Sequence, residues 1–253
     1  RGYRLYYQSL EHLYSQQTLS SSLRLTYRNP LELFFTYLHL SYNYTTRGYY
    51  RDYTYSLDRT VSIPIDSTHH RQTFSAAGVV DKSIAPLGLS LHAELRYSHS
   101  SYISSQAHRV YQIQSDLLMP SLTMTCNKLS PLELAYTFEL SSLWIHHPLT
   151  KLRPVLSLRE SFEAGLPLGD RWLLGLQVVH SMNEVAPREY KHTFFGDLDA
   201  AWTVSKRIKL TARLANLWGQ TSSRVTRLSA TDISSFAVPL RPRELIVTAT
   251  LRI

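Results

Sequence analysis

Apolar and polar residues alternate over three segments of this chain, residues 88–98, 131–141 and 243–253. In the first segment, which reads GLSLHAELRYS, leucine, alanine and tyrosine alternate with serine, histidine, glutamate and arginine. Because successive side chains of a β-strand point to opposite faces, each segment has one apolar face and one face with charged groups. Strands of about 9–11 residues with this pattern are typical of a transmembrane β-barrel around an aqueous interior.

Composition restricts the alternatives to this fold. Hydrophobic residues make up 43% of the 253 positions and charged residues only 18%, yet the mean hydropathy is -0.20. Apolar residues are therefore spread among polar ones, and no apolar run approaches the ~18 residues that a membrane helix needs. No Ser/Gly-rich linker divides the sequence, so we predict a single domain over residues 1–253. The single Cys126 excludes an intrachain disulfide framework.

Turn-forming residues divide the chain into pairs of strands. The predicted strands are residues 19–28, 31–45, 72–82, 88–98, 114–126, 131–141, 154–165, 171–181, 190–204, 207–217 and 243–253, with residues 3–7 as a candidate twelfth. Short turns alternate with longer segments, which are residues 46–70, 99–113, 142–153, 182–189 and 218–242. This alternation is typical of bacterial outer-membrane barrels, in which the long loops are extracellular. We therefore predict an all-β fold, an antiparallel transmembrane β-barrel with about 11–12 strands in this chain.

Three further structural predictions concern particular segments. Val61, Ile63 and Ile65 alternate within residues 46–70, which predicts a hairpin that extends beyond the bilayer. Pro120 lies inside a predicted strand, and because proline cannot donate a ladder hydrogen bond, we expect a β-bulge there. Single-chain bacterial barrels usually have an even number of strands. Either the N-terminal segment completes a barrel of about twelve strands, or the chain is the C-terminal half of a barrel of about 22 strands.

The period of two assigns side chains to the two faces of the predicted sheet. A charged group on the lipid side costs about 2–4 kcal/mol at bilayer depth, so the apolar face should meet lipid. The predicted lipid-facing residues include Leu91, Leu134, Tyr136, Leu210 and Val247. The predicted lumen-lining residues are Arg24, His92, Glu94, Arg96, Glu133, Glu139, Arg159, Asp197, Asp199 and Arg213. Asp197 and Asp199 share a face, and we expect Arg213 or Lys209 to balance their charge across the ladder.

Aromatic residues favour a membrane location over a soluble sandwich. The chain has 17 tyrosines and 4 tryptophans, many at the ends of predicted strands. Trp172 and Trp202 lie near short turns, whereas Tyr44 and Trp218 lie near long loops. Two such bands would form the girdles that anchor a barrel at both membrane interfaces, although tyrosine is also common in soluble sheets. We therefore expect a bacterial outer-membrane protein, with membrane lipid and lipopolysaccharide as partners.

The long-loop end is the predicted site of ligand recognition. Residues 47–70 and 218–241 combine amphipathic rings with arginines, which can contact a ligand with little loss of entropy. The candidate residues are Tyr49, Tyr50, Tyr53, Tyr55, Arg224, Arg227 and Phe236. The alternative is that these side chains pack the loops together or meet lipopolysaccharide phosphates. The sequence does not identify the transported ligand.

Signals for catalysis, metal binding and nucleic-acid binding are weak. Adjacent histidines, at residues 69–70 and 146–147, point to opposite sides of an extended segment, so neither pair forms a metal site alone. No Gly-x-Ser-x-Gly elbow or phosphate-binding glycine loop occurs, so we predict no enzyme and no cofactor. The formal net charge of +8 is dispersed over separate strands, which argues against nucleic acid as a partner and favours anionic solutes in a lumen.

The C-terminal region carries a family resemblance. Asn216-Leu217-Trp218 ends one predicted strand, and Pro242-Arg243 leads into the last one. With these motifs the region resembles the closing three strands of TonB-dependent outer-membrane receptors, particularly the Bacteroidetes type. The resemblance implies a transporter with an N-terminal plug and a TonB energy-coupling box. Neither is visible here, and the sequence begins at Arg1 without Met or a signal peptide. The segments concerned are residues 194–202, 209–220 and 240–253.

These observations leave three function classes. The first is an outer-membrane receptor or transporter barrel that takes up a ligand captured by its extracellular loops. The second is a self-contained, porin-like or adhesin barrel. The third is a soluble secreted β-sandwich binding module, in which the apolar faces would pack against each other. Solubility without detergent would exclude both barrels, and a plug encoded upstream would favour the first class over the second.

Overall fold

The computed structural model of this chain is almost entirely antiparallel β-sheet. It describes residues 4–7, 16–46, 48–55, 59–67, 70–106, 109–148, 154–186, 188–228 and 233–251. The strands are β1 (Arg4–Tyr7), β2 (Gln17–Asn29), β3 (Phe34–Thr46), β4 (Gly48–Tyr55), β5 (Arg59–Ser67), β6 (Arg71–Ile84), β7 (Leu89–Gln106), β8 (Arg109–Cys126), β9 (Glu133–His146), β10 (Val155–Leu168), β11 (Trp172–Ala186), β12 (Glu189–Thr203), β13 (Ile208–Ala215), β14 (Ser222–Leu228), β15 (Ile233–Pro239) and β16 (Glu244–Leu251). The described residues contain no helix long and apolar enough to cross a membrane.

Eleven of these strands form a meander. In the order β2, β3, β6 to β13 and β16, each strand pairs antiparallel with the next. Each of the eleven predicted strands overlaps one of them, so the prediction of an antiparallel all-β fold is confirmed. The agreement has a physical basis, because the apolar–polar period of two occurs in sequence wherever a sheet presents two unlike faces.

The strands are longer at the loop end than predicted. Residues 99–113 were expected to form a loose loop, but β7 and β8 pair continuously from Leu89 opposite Cys126 to Gln106 opposite Arg109. Strands β11 and β12 likewise pair as far as Ala186 opposite Glu189, with one irregularity. Serine, tyrosine, histidine and glutamine in these extensions end the apolar pattern. They do not end the strand, because ladder hydrogen bonds use the backbone alone.

The β-bulge predicted at Pro120 is wrong. Leu118 pairs with Ser142 and Ser121 pairs with Glu139, so the register between β8 and β9 is the same on both sides of the proline. On its other side, Pro120 stays in register opposite Leu95 of β7. The missing N–H interrupts the pairing with β9 locally, and the sheet accommodates this loss without inserting an extra residue.

The connection from β3 to β6 and the connection from β13 to β16 each contain a hairpin. Strands β4 and β5 pair from Gly48 opposite Ser67 to Tyr55 opposite Thr60, so residues 46–70 contain a hairpin, and its extension beyond a bilayer stays a prediction. This hairpin is attached to the β7 extension, where the buried Asp52 accepts a hydrogen bond from Ser105 Oγ at 2.8 Å. Strands β14 and β15 form a second hairpin between β13 and β16.

The candidate strand at residues 3–7 does not extend the meander. Strand β1 instead runs parallel to β5 in the first hairpin. Among the described residues, β2 pairs only with β3 and β16 pairs only with β13. Because the meander has an odd number of strands, β2 and β16 run in the same direction. Closure into a fully antiparallel barrel therefore requires an odd number of further strands between these two edges.

Candidate ligand-binding face

The ten predicted lumen-lining residues lie on one face of the meander. One row crosses five strands, in which Ser121 is opposite both Glu94 and Glu139, and Arg159 is opposite both Glu139 and Ser181. Directly opposed residues of neighbouring strands share a face, so the same registers place the other candidates beside this row. We call this surface the charged face. That it lines a lumen remains a prediction.

Two ion-pair groups order part of the charged face. Arg96 donates two hydrogen bonds to Glu94, from Nε to Oε1 at 2.6 Å and from Nη2 to Oε2 at 2.7 Å. This parallel arrangement is the strongest geometry available to an arginine–carboxylate pair. Arg213 lies 2.5 Å from an oxygen of Asp197 and 3.7 Å from Asp199, so it balances the paired aspartates across the ladder. Arg96 thus neutralises Glu94, whereas Arg213 offsets one of the two negative charges of Asp197 and Asp199.

Other charged groups on the same face are not paired in this way. Arg159 and Glu139 are directly opposite on β10 and β9, yet in the described structure neither has an ion-pair partner within 4.0 Å. Arg24 instead stacks on a ring, with its guanidinium carbon 4.8 Å from the centre of Tyr37. Arg159 and Glu139 therefore remain available for a polar ligand.

The main pockets of the described sheet open on the charged face. One of them has a volume of about 460 Å³ and is lined by both the Glu94–Arg96 pair and the Glu139–Arg159 pair. A second pocket of about 440 Å³ lies nearer the short turns, over Gly165 and Gly175. Both glycines belong to the charged face, since Gly165 is opposite Glu133 and Gly175 is opposite Asp199. The absence of side chains at these positions leaves bare backbone as the floor of that pocket.

The opposite face carries an apolar band that begins at the short turns. On β11 the band comprises Trp172, Leu174, Leu176 and Val178, a span of about 20 Å at roughly 3.3 Å per residue. Corresponding positions on other strands are among the exposed large hydrophobic side chains of the described structure. They include Leu23, Leu25, Leu38, Val80, Leu95, Phe162, Leu198, Leu245 and Val247. The five residues predicted to face lipid all lie on this apolar face.

Two similar polar clusters lie at the upper limit of the apolar band, on the side of the long loops. In the first, Asp116 accepts hydrogen bonds from Tyr97 Oη at 2.7 Å and lies 2.8 Å from His99 Nδ1, with His146 at 3.5 Å. Each cluster combines one carboxylate, one tyrosine and two histidines. Alternation along single strands does not reveal this arrangement, because its members lie on different strands.

The second cluster spans four strands, from β9 to β12. Tyr136 Oη donates to Glu160 Oε1 at 2.8 Å, and His180 Nδ1 lies 2.9 Å from Glu160 Oε2. His180 Nε2 lies 3.0 Å from His192 Nδ1, and the two imidazole rings are stacked. In the sequence, this cluster is indicated only by Glu160, a charged residue at an otherwise apolar position of β10, two residues before Phe162.

The motif at Asn216 has a structural role at the loop end of β13. Its backbone has a φ of 55°, and its side chain donates to the carbonyls of Gln220 and Arg241, both at 2.8 Å. Its own N–H donates to Asp197 at 2.9 Å. Asn216 thereby fixes both ends of the connection that carries β14 and β15. Two residues further along this motif, the ring of Trp218 covers Gly196 of β12.

The candidate loop residues divide between the two hairpins. Tyr49, Tyr50, Tyr53 and Tyr55 lie on β4, but their side chains are outside the described part, as is that of Arg227 on β14. Arg224 and Phe236 are exposed on β14 and β15, where they occupy neighbouring rows. The β14 strand contacts the end of β11, because Asn183 Nδ2 donates to the carbonyl of Arg224 at 3.2 Å.

The adjacent histidines at residues 69–70 and 146–147 form no metal site in the described structure. His70 stacks on Tyr44, and His147 contacts Tyr111 with the two rings tilted. His146 is near Asp116, and His69 is outside the described residues. Among the residues described, no group of three or more histidines, cysteines and carboxylates is placed to hold a metal ion.

Two comparisons with known proteins found no match. No protein-family model matches the chain, and no curated protein matches it.

Proposed function

We propose that this chain forms the wall of an outer-membrane β-barrel, with the charged face around an aqueous interior and the apolar face against lipid. The observation that carries the proposal is the segregation of side chains by face over eleven strands. Large apolar residues such as Leu95 and Val247 are 51% and 67% exposed, and no second sheet of the described structure covers them. In water such a surface would be strongly unfavourable, whereas hydrocarbon accommodates it.

The limits of the apolar band support this orientation. At the short turns, Trp172 and Trp202 stack with ring centres 5.2 Å apart. At the other limit lie the two tyrosine–carboxylate–histidine clusters. Amphipathic and polar groups at both borders of an apolar band are what a barrel needs at its two interfaces. The arrangement argues against a soluble β-sandwich, whose apolar faces would be buried against each other.

We propose further that the barrel is a receptor or transporter, as the resemblance to TonB-dependent receptors implies. Two hairpins, β4–β5 and β14–β15, stand at the long-loop end, where they can contact a ligand before it reaches the pockets of the charged face. A porin-like or adhesin barrel is the alternative. An energised uptake that requires the TonB system would support the receptor, and uptake independent of it would support the porin.

Cysteine labelling tests the membrane orientation directly. In a Cys126→Ser background, Ser121→Cys places a thiol on the charged face and Leu122→Cys places one on the apolar face of the same strand. We expect a water-soluble maleimide to label the first variant and a lipid-phase maleimide to label the second, in cells or in vesicles. Preferential lipid-phase labelling at position 121 would overturn the proposal, as would extraction of the protein without detergent.

A further inference from the structure

We propose that the 460 Å³ pocket of the charged face binds a zwitterionic solute that carries a primary ammonium and a carboxylate, as amino acids and short peptides do. This inference rests on the proposed function, because an aqueous interior would bring solutes to this face. The pocket belongs to the middle of the meander, on β7 to β11, and at its edge Asn183 also donates to the carbonyl of Arg224 on β14.

Two adjacent rows of the sheet build the pocket. The first row contains Glu94, Ser121, Glu139, Arg159 and Ser181, one residue from each of five neighbouring strands. The second row adds Arg96, Ser141, Ser157 and Asn183. The serines are short, so they leave space between the longer charged side chains and offer hydroxyl groups that can donate or accept. The rows thus form a polar recess with charged groups at fixed positions.

The charges of the recess select the class of ligand. Two arginines and two glutamates give a net charge of zero, but only Glu94 and Arg96 neutralise each other directly. Arg159 offers a planar guanidinium for a carboxylate, and Glu139 offers acceptors for an ammonium group. Their directly opposed backbone positions place the Cβ atoms about 4.5–5.5 Å apart, so one small ligand can reach both groups. The Glu94–Arg96 pair holds the neighbouring side of the recess in place.

Other ligand classes fit this recess less well. A simple anion would meet two carboxylates, and a simple cation would meet two guanidinium groups. A sugar would lack a stacking platform, since no aromatic ring occurs among the described residues that line the pocket. A metal ion would lack ligands, because the described histidines, cysteines and carboxylates form no suitable group. A zwitterion is the class that satisfies both free charges at once.

The test measures binding of glycylglycine to the full chain in detergent micelles by calorimetry. N-acetylglycylglycine lacks the ammonium group, and glycylglycinamide lacks the carboxylate. We expect each blocked compound to bind at least ~10-fold more weakly than glycylglycine, because each lacks one of the two charge-assisted contacts, to Arg159 or to Glu139. Equal binding of either blocked compound would overturn the proposal, as would the absence of measurable binding of glycylglycine at millimolar concentration.

Variants locate the binding site. Arg159→Gln and Glu139→Gln should each weaken glycylglycine binding by ~10-fold or more, whereas Arg28→Gln and Glu163→Gln, on the same face outside the pocket, should not change it. Ser157→Phe fills the recess without removing a charge and should also abolish binding, which covers the case in which a charge variant fails to fold. Unchanged binding in the folded Arg159→Gln or Ser157→Phe variant would overturn the assignment.

The outcomes separate this proposal from the proposed function. Binding with the expected pattern, together with lipid-phase labelling at position 121, would support the zwitterion site and refute the membrane orientation. Labelling as expected, without selective binding, would support the barrel and refute the zwitterion site.

Discussion

The two faces of the eleven-stranded meander differ in how their polar groups are satisfied. On the charged face, ionised side chains occur along the whole length of the strands, and Glu94 and Asp197 are each paired with an arginine. On the apolar face, the carboxylates Asp116 and Glu160 lie only at the loop-end limit, and each is held by a tyrosine and a histidine. On the apolar face, the polarity of a side chain therefore depends on its position along the strand. On the charged face, it depends little on that position.

The largest expected effect comes from moving a charge across the sheet. Leu176→Arg places a guanidinium in the middle of the apolar band, and Gln177→Arg places it one residue away on the charged face, beside Glu163. We expect Leu176→Arg to lower the free energy of unfolding by about 2–4 kcal/mol in a bilayer and Gln177→Arg to leave it nearly unchanged. Urea unfolding in lipid vesicles measures both values. Equal destabilisation by the two variants would remove the distinction between the faces.

A second prediction compares two glycines of the apolar face. A Cβ at Gly196 would overlap the ring of Trp218, whereas a Cβ at Gly78 would meet no atom within 4 Å. We expect Gly196→Ala to destabilise the fold by about 1–3 kcal/mol and to change the tryptophan fluorescence. Gly78→Ala should stabilise it by about 0.5 kcal/mol, because alanine loses less backbone entropy than glycine. If Gly196→Ala is as stable as wild type, Trp218 does not cover this part of the apolar face.

A third prediction locates the upper limit of the apolar band. Glu160→Gln keeps the size of the side chain but replaces a charged acceptor, so we expect a loss of about 1 kcal/mol through weaker hydrogen bonds to Tyr136 and His180. Phe162→Glu places a carboxylate one step nearer the short turns and should cost more. The two variants are compared by their urea midpoints in the same vesicles. If Phe162→Glu has the same urea midpoint as wild type, the apolar band ends on the short-turn side of residue 162.

The smallest effect on assembly is expected for the β14–β15 hairpin. Replacing residues 222–239 with a short Gly/Ser linker retains Asn216 and its acceptors Gln220 and Arg241. Because loop length has a small entropic cost, we expect the free energy of unfolding to stay within ~0.5 kcal/mol of the wild-type value. Binding of the natural ligand at the cell surface should be lost if this hairpin takes part in recognition. Unchanged uptake after removal of both hairpins would place recognition in the wall.

The sequence predicted the strands well where one face is apolar. All eleven meander strands follow from the alternation of side chains, and the same alternation places Arg24 and Arg213 on one face although nearly 190 residues separate them in sequence. It predicted the strand ends less well. The β7 and β8 extensions mix polar residues with a few apolar ones on both faces, so they give no periodic signal even though their backbone groups pair.

Alternation by itself determined the strands, their antiparallel class and the face of each side chain, because a strand has a side-chain period that sequence spacing expresses directly. Only the tertiary structure decided which side chains meet across strands. The register places Glu160 between Tyr136 and His180 and leaves Arg159 opposite Glu139. It also keeps Pro120 opposite Leu95 without a bulge. The chain after β13 places the ring of Trp218 over Gly196. These contacts join residues that are distant in the chain, and pairing between strands is set by the whole sheet, so no local pattern encodes them.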